Sequence, residues 1–294
     1  MNLKERILGI LKSPAFPIPL KEDTELVKTG EESFYLRSGN QEYALKWLPK
    51  GRLYSENELD VNKNVLLKTN APAPKMEFVL EQQEGYLAGW KWLAGFPVNE
   101  GQRDKIPLAF STLGRFHKEQ KNSQPVYSLY LNQEFQTIGE MIEAELEKHC
   151  HFLEEGPKIK EKAREKLRVL TQGYPTRVHG DAHLGNMIYA PPKIKMIDWA
   201  NSHNGLGLMD LCHVYSLPLK TDDEEVSHAV RPEEAASVLS AYHQSADLNH
   251  LNPDETNRAV MLLHELRMHS YGTEDNQETW KKDAKENIQI ILDN

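Results

Sequence analysis

One stretch restricts this chain more than any other: "VHGDAHLGNMIYAPPKIKMIDWA", residues 178–200. It holds two histidines, two aspartates and an asparagine, punctuated by Gly180, Gly185 and Pro191-Pro192. The apolar-rich segments "NMIYA" and "KIKMID" flank the prolines and read as the two strands of a hairpin. Pairing about Pro192 sets Ala190 against Ile194, Ile188 against Met196, and Asn186 against Asp198. Directly opposed residues have Cβ atoms roughly 4.5–5.5 Å apart. Two oxygen-bearing side chains then stand side by side, suited to a hard cation such as Mg²⁺, which takes oxygen ligands and is usually shared with phosphates. Asp181, five residues before Asn186, suits a general base that accepts a proton from an attacking hydroxyl. Gly180 and Gly185 permit an irregular loop, which His179 and His183 could hold by hydrogen bonding.

The flanking sequence changes character along the chain. Residues 24–48, "TELVKTGEESFYLRSGNQEYALKWL", read as strands broken at Gly30 and at the Ser38-Gly39-Asn40 turn. "SENELDVNKNVLLK", residues 55–68, reads as a helix with Ser55 as its cap and Glu58 closing a capping box. Two more strands are expected around 76–80 and 86–90. From about residue 107 helical spacing takes over, in "PLAFSTLGRFHKEQ", "FQTIGEMIEAELEKHCHFL", "PKIKEKAREKLRVLTQ" and three further segments. The expected fold class is therefore α+β. A mainly antiparallel first lobe, residues 1–93, precedes a larger helical lobe, residues 94–294, and a cleft between lobes is a preferred place for a ligand. At the N-terminus, Leu3, Ile7, Leu8 and Leu11 form the apolar stripe of a short amphipathic helix, not a secretory signal.

Composition narrows the function classes. The net charge is -9 and no long Lys/Arg run occurs, so a nucleic-acid partner is not expected. No apolar run approaches the ~20 residues that span a bilayer, so no membrane partner is expected either. Cys150 and Cys212, the two cysteines, lie far apart in sequence, which makes a reducing cytoplasm the expected setting.

"HGDAHLGN", followed by a hairpin and "IDW", resembles the catalytic loop and metal-binding aspartate of the aminoglycoside phosphotransferase and choline kinase family, relatives of the protein kinases. The protein-kinase pattern H-R-D-x-x-x-x-N has the same five-residue step from Asp to Asn. Leu184 stands where the family usually has proline, and Trp199 where protein kinases have phenylalanine. "GLGLMDLC" also resembles the family's later Asp-Leu segment. The resemblance implies a two-lobed protein-kinase-like fold with ATP and Mg²⁺ as cofactors. Asp181 would be the catalytic base, Asn186 and Asp198 the metal ligands, and His179, His183 and Asp210 the structural support. In the first lobe, "YALKW" is close to the kinase V-A-I-K strand. Lys46 would then reach the α- and β-phosphates, and Ala44, on the same strand face, would leave room for adenine. Leu45 and Trp47 would point into packing. Glu58 is the expected carboxylate partner of Lys46, with Glu56 as the alternative. Ser33, in the glycine-poor loop "VKTGEESFY", would donate to a phosphate, and the backbone near Trp90 and Trp92 would form the hinge at the adenine edge. His117 resembles a structural histidine of such families. The implied reaction moves the γ-phosphate to a hydroxyl of a small molecule: an aminoglycoside, a choline-like compound, a sugar or an amino alcohol. The acceptor pocket would draw on Trp90, Trp92, the acidic helix at 134–147, His203 and "LLHELRMHSY".

Two other readings compete. In a metal-dependent hydrolase, His179 and His183 would act like the pair of H-E-x-x-H. Gly180 stands in place of the catalytic glutamate, and the glycines oppose the helix that motif requires. In a kinase-like binding or scaffold protein the fold would survive without turnover, but Lys46, Asp181, Asn186 and Asp198 are all present. Residue order leaves open the acceptor, ATP against GTP, and the oligomeric state.

Overall fold

The computed structural model describes residues 2–215, 229–275 and 277–294. Two compact units emerge, Met1–Gly95 with Ala190–Asn201, and Phe96–Tyr189 with Ser202–Asn294.

The first unit is built on strands β1 (Glu25–Lys28), β2 (Ser33–Ser38), β3 (Gln41–Pro49), β4 (Met76–Glu81) and β5 (Gly85–Lys91). They form one antiparallel sheet in the order β1-β2-β3-β5-β4. Alternation on β3 decides which face carries chemistry: Tyr43, Leu45 and Trp47 are buried, while Ala44 and Lys46 on the opposite face are only partly so. Helix α1 (Leu3–Leu11) opens with a capping box between Asn2 and Glu5. It packs Ile7, Ile10 and Leu11 into the cluster that holds Phe34, Leu36 and Leu45. The expected stripe is corrected at one position, since Leu8 is 37% exposed and Ile10 takes its place. Spacing of three and four residues from Ile7 reaches Ile10 and Leu11, and Leu8 falls on the flank of that face.

Helix α2 (Leu53–Val61) corrects the expected capping box. Its N-cap is Arg52, which makes no side-chain cap bond, and Ser55 lies inside the helix. Glu58 is buried and turned toward Lys46. A charge-assisted bond outweighs the smaller gain of a local cap. The helix does not continue to residue 68 but widens into a single π-turn at Asn62–Leu66. Strand β11 (Lys193–Met196) joins this unit through the Met196 N–H, which donates to the Pro72 carbonyl, and Lys195 Nζ, 3.1 Å from the Ala73 carbonyl.

The second unit is mainly helical: α3 (Ile106–Glu119), α4 (Ile138–Cys150), α5 (Gly156–Leu167), α6 (Pro232–Ser245), α7 (Pro253–Glu274) and α8 (Glu278–Asp293). The apolar spacing read in residues 107–120 buries Phe110, Leu113 and Phe116 on α3. A Cβ on Gly114 would meet the Tyr242 carbonyl oxygen at 2.8 Å, so α3 and α6 approach backbone to backbone. Helix α4 opens with a capping box of Thr137 and Glu140. Short strands fill the gaps: β6 (Phe96–Pro97) pairs with β10 (Met187–Ala190), β7 (Val126–Ser128) with β8 (Gln133–Phe135), and β9 (Pro175–Val178) with β12 (His203–Leu206). The loop at 179–186 thus runs from the end of β9 to the start of β10. Among the described residues no helix is long and apolar enough to cross a membrane.

His149 on α4 is 1% exposed. Burial first, then the Arg267 and Lys148 charges, push its pKa down to about 3. An unfolded histidine titrates near ~6.5. Between those values the unfolded chain binds a proton that the folded one refuses, so stability falls as pH drops from 6.5 toward 3. Chemical denaturation at pH 7, 5.5 and 4 should show that decline, worth up to roughly a few kcal/mol, and His149→Phe should flatten it. An unchanged slope in the variant would remove His149 as the cause.

Candidate active site

In the first unit, Lys46 collects two carboxylates. Its Nζ lies 2.8 Å from Glu58 Oε2 and 3.1 Å from Asp198 Oδ1. Glu56, the alternative partner, instead accepts the Gly51 N–H at 3.2 Å. Burial alone would lower the Lys46 pKa, but Glu58 and then Asp198 outweigh it and hold the ammonium form. Burial raises the Glu58 carboxyl, against the pull of Lys46. Breaking this pair from one side would leave a charge with poor solvation, so the contact is specified by burial as well as by attraction.

Asp198 has a left-handed backbone, φ 58°. The Trp199 indole N–H donates back to the Met196 carbonyl at 2.8 Å, and Asn57 Nδ2 donates to the Ala200 carbonyl at 2.6 Å. One Asp198 oxygen is on Lys46, and the carboxylate is 46% exposed. Ser33 faces Lys46 in the β2–β3 register. Its carbonyl accepts the N–H groups of Thr29 and Gly30 at 2.9 and 3.2 Å, which closes the glycine-poor loop tightly. Ala44 pairs with Trp90 across β3 and β5. The Trp90 ring is buried with Leu48, Leu59 and Ala88, and its indole N–H donates to Asn62 Oδ1 at 3.1 Å. The Trp92 N–H goes to the Glu42 carbonyl at 3.0 Å, and its half-exposed ring meets Tyr35 edge-on at 4.9 Å.

In the second unit, Asp210 anchors the loop. It accepts the N–H of His179 at 2.7 Å and of Gly180 at 2.8 Å. Gly180 has φ 82°, a conformation that costs glycine little. Behind Asp210, His117 Nε2 lies 3.1 Å away, and His117 Nδ1 is 2.8 Å from the Tyr242 hydroxyl. Burial opposes ionisation of Asp210, but the hydrogen bond and charge of His117, with help from His179, win and lower its pKa. His179 Nδ1 accepts the Asp181 N–H at 3.2 Å, and His183 Nδ1 accepts the Gly185 N–H at 3.1 Å. A ring nitrogen that accepts cannot carry the proton, so both neutral rings are protonated at Nε2. His183 Nε2 is 3.9 Å from Asp181 Oδ2. Asn186 Nδ2 donates to the Asp181 carbonyl at 3.0 Å and to Asp181 Oδ2 at 3.3 Å. That bond orients the amide and leaves Asn186 Oδ1 as an oxygen donor.

The expected hairpin register does not reach its ends. Strand β10 starts at Met187 and β11 stops at Met196, so neither Asn186 nor Asp198 is a strand residue. Asn186 closes a 3-10 turn, Leu184–Asn186, because its side chain returns to Asp181. Asp198 turns away because the Trp199 indole returns to Met196. Each still presents a hard oxygen donor of the kind Mg²⁺ takes. Asn186 offers an amide oxygen and Asp198 a carboxylate oxygen, each with its other polar atom already engaged.

The acceptor candidates divide sharply. On α4, Glu140 caps the helix, Glu143 grips Arg164 through two bonds, Glu145 holds Arg267 and Ser128, and Glu147 pairs with Lys160. Those carboxylates are committed within the fold. His203 instead faces Tyr127 edge-on at 6.1 Å. From His183 a row of rings leads on to His213 at 5.9 Å and to His264 of α7 at 6.1 Å. Further along α7, Arg267 lies over Tyr130 at 4.1 Å, and Tyr130 meets Tyr271 at 5.6 Å. Sequence reasoning missed His213, Tyr242, Asn57 and Asn62. Only "LLHELRMHSY" carried a signal, for His264.

Comparison with solved structures shows a protein-kinase-like α+β fold. Residues 25–254 match the phosphotransferase enzyme family APH, and the chain belongs to that family. It is similar to aminoglycoside phosphotransferase APH(2'')-Ib in its ADP-bound form, with 19% identity, 98% and 96% of the two chains covered and a TM-score of 0.60. It is also similar to the GDP complex of aminoglycoside 2'-phosphotransferase-IIIa, with 15% identity, 99% of both chains and a TM-score of 0.60. Choline kinase from Cryptosporidium parvum Iowa II gives 14% identity, 99% and 94% coverage and a TM-score of 0.60. No curated protein matches the chain.

Proposed function

We propose that this phosphotransferase moves the γ-phosphate of ATP, in the presence of Mg²⁺, to a hydroxyl group of a small molecule in the cytoplasm. The observation that carries the reading is the doubly held Lys46, with Glu58 on one side and Asp198 on the other. Kinases require that ion pair and a nearby metal-binding aspartate. Lys46 would orient the α- and β-phosphates, beside Ser33 in the phosphate loop and below Ala44 on the adenine side. Trp92 and the backbone after it would border the adenine, with Trp90 supporting from the core. Asn186 and Asp198 would hold Mg²⁺, which spreads the charge of the transferring group. Asp181 would accept the hydroxyl proton, with its carboxylate placed by Asn186 and faced by His183. Asp210, through His179 and Gly180, would keep the loop in shape. Positioning and electrostatics supply most of such catalysis.

The ADP-bound and GDP-bound neighbours support a nucleoside triphosphate donor. The acceptor reading favours a hydroxylated compound met by the rings around Asp181 over a polyamine gathered by α4, whose carboxylates are engaged. A metal-dependent hydrolase is disfavoured by the two histidines of its motif, since each Nδ1 takes a backbone N–H, and His179 is fully buried. The test is a thermal shift with Mg·ATP against Mg·GTP, followed by coupled ADP release across sugars, amino alcohols, choline and aminoglycosides. Stabilisation by Mg·ATP with release on one acceptor class is the expected result. Binding without turnover on any acceptor would favour a scaffold.

A further inference from the structure

Helix α2 has little of its own to fix where it sits. It has nine residues, fewer than the ~12–15 that make an isolated helix marginally stable. It lacks a side-chain N-cap and passes straight into a π-turn, and such turns recur at functional sites. Two asparagines flank Glu58 and tie the helix down in different directions. Asn62, 3% exposed, accepts from the Trp90 indole on β5 and donates to the Glu58 carbonyl at 2.8 Å. Asn57 donates to the Ala200 carbonyl, two residues beyond Asp198, at 2.6 Å.

Asp198 is held from both sides. Its left-handed backbone is uncommon for a non-glycine residue, though aspartate adopts it more readily than most, and bonds before and after it fix that conformation. The Trp199 indole fixes the chain before this residue, by its bond to Met196. Asn57 holds the chain after it, by its bond to the Ala200 carbonyl. Because Asn57 neighbours Glu58 on the same helix, that bond ties the helix that carries Glu58 to the segment that carries Asp198, the two partners of Lys46.

We propose that Asn57 is a positioning residue, which clamps the segment after Asp198 to α2 and so keeps the Asp198 carboxylate both on Lys46 and in register for a divalent cation. The metal part of this inference rests on the proposed kinase reading, while the clamp itself does not. Partners one step behind a metal ligand typically carry a 10–100-fold effect on metal affinity when removed.

The test uses the full chain carrying Asn57→Ala, with Asn57→Ser as a second variant in case the first is poorly folded. Alanine's better helix propensity offsets the lost hydrogen bond, so the metal-free melting temperature should stay close to that of the unaltered protein. Two quantities are read. The Mg²⁺ midpoint for binding a fluorescent ATP analogue should rise at least about tenfold. Amide hydrogen exchange at Trp199–Asn201, in protein without metal or nucleotide, should quicken by about tenfold or more as the clamp opens. Exchange at wild-type rates would overturn the clamp, and a Mg²⁺ midpoint within about twofold of wild type would overturn its role toward the cation. If the unaltered protein binds no nucleotide with Mg²⁺, the kinase reading falls, and the exchange measurement still decides the clamp.

Discussion

Asp181→Asn should abolish most phosphoryl transfer while leaving nucleotide binding in place. A positioned general base contributes roughly 10²–10⁴-fold, and a loss in that range is expected in kcat. The substitution keeps size and shape, so the Asn186 contact to the Asp181 carbonyl survives, and so does the His179 contact to the Asp181 N–H. What is lost is the oxygen that can take a proton. Neither Asp210 nor His183 can take over. Asp210 is buried and spent on two backbone N–H groups, and His183 presents a protonated Nε2 while Nδ1 accepts from Gly185. KM for the nucleotide should change little, because the proposed role places Asp181 on the acceptor side of the reaction. Coupled ADP release on the acceptor found by screening is the measurement. Turnover within a few-fold of wild type would remove Asp181 from the role of base.

Asp198→Ala should cost at least as much by a different route. Metal stabilisation of a transferring phosphoryl group is worth several kcal/mol, and each ~1.36 kcal/mol is tenfold in rate. A fall of roughly 10³-fold or more is therefore expected, together with loss of the tightening of nucleotide binding by Mg²⁺ at wild-type concentrations. Lys46 keeps Glu58 at 2.8 Å, so its charge is not stranded and the fold should tolerate the change. Alanine also relieves no backbone strain, since φ 58° disfavours it as much as aspartate or more. Titration of Mg²⁺ against binding of a fluorescent ATP analogue separates the two effects. A variant that still needs Mg²⁺ at the wild-type concentration would show that Asp198 does not hold the ion.

The sequence made the elements legible where period and burial agreed. Strand β3 alternates cleanly, so Lys46 and Ala44 could be placed on one face and Leu45 and Trp47 on the other from the order of residues alone. Helices α3 and α4 announce themselves by spacing and, for α4, by a Thr-Glu box. Most of the failures share one cause, which is that a side chain bonded to a group outside the pairing or cap its spacing suggests. Ser55 and Glu58 have the spacing of a capping box, yet Glu58 is drawn to a lysine on another element. Asn186 and Asp198 have the spacing of opposed strand residues, yet one side chain folds back to Asp181 and the other reaches Lys46. Tyr242 behind His117, and Asn57 beneath Ala200, sit in patterns that look like plain helix. No local rule marks a residue whose partner lies more than a hundred positions away.

The most direct test of the account is a crystal structure of the full chain with Mg²⁺ and a non-hydrolysable ATP analogue. The expected result is a cation that takes Asn186 Oδ1 and an Asp198 carboxylate oxygen as ligands, with Lys46 on the phosphates and Asp181 open to the acceptor. A nucleotide bound with its cation away from either residue, or with Lys46 turned from the phosphates, would contradict it.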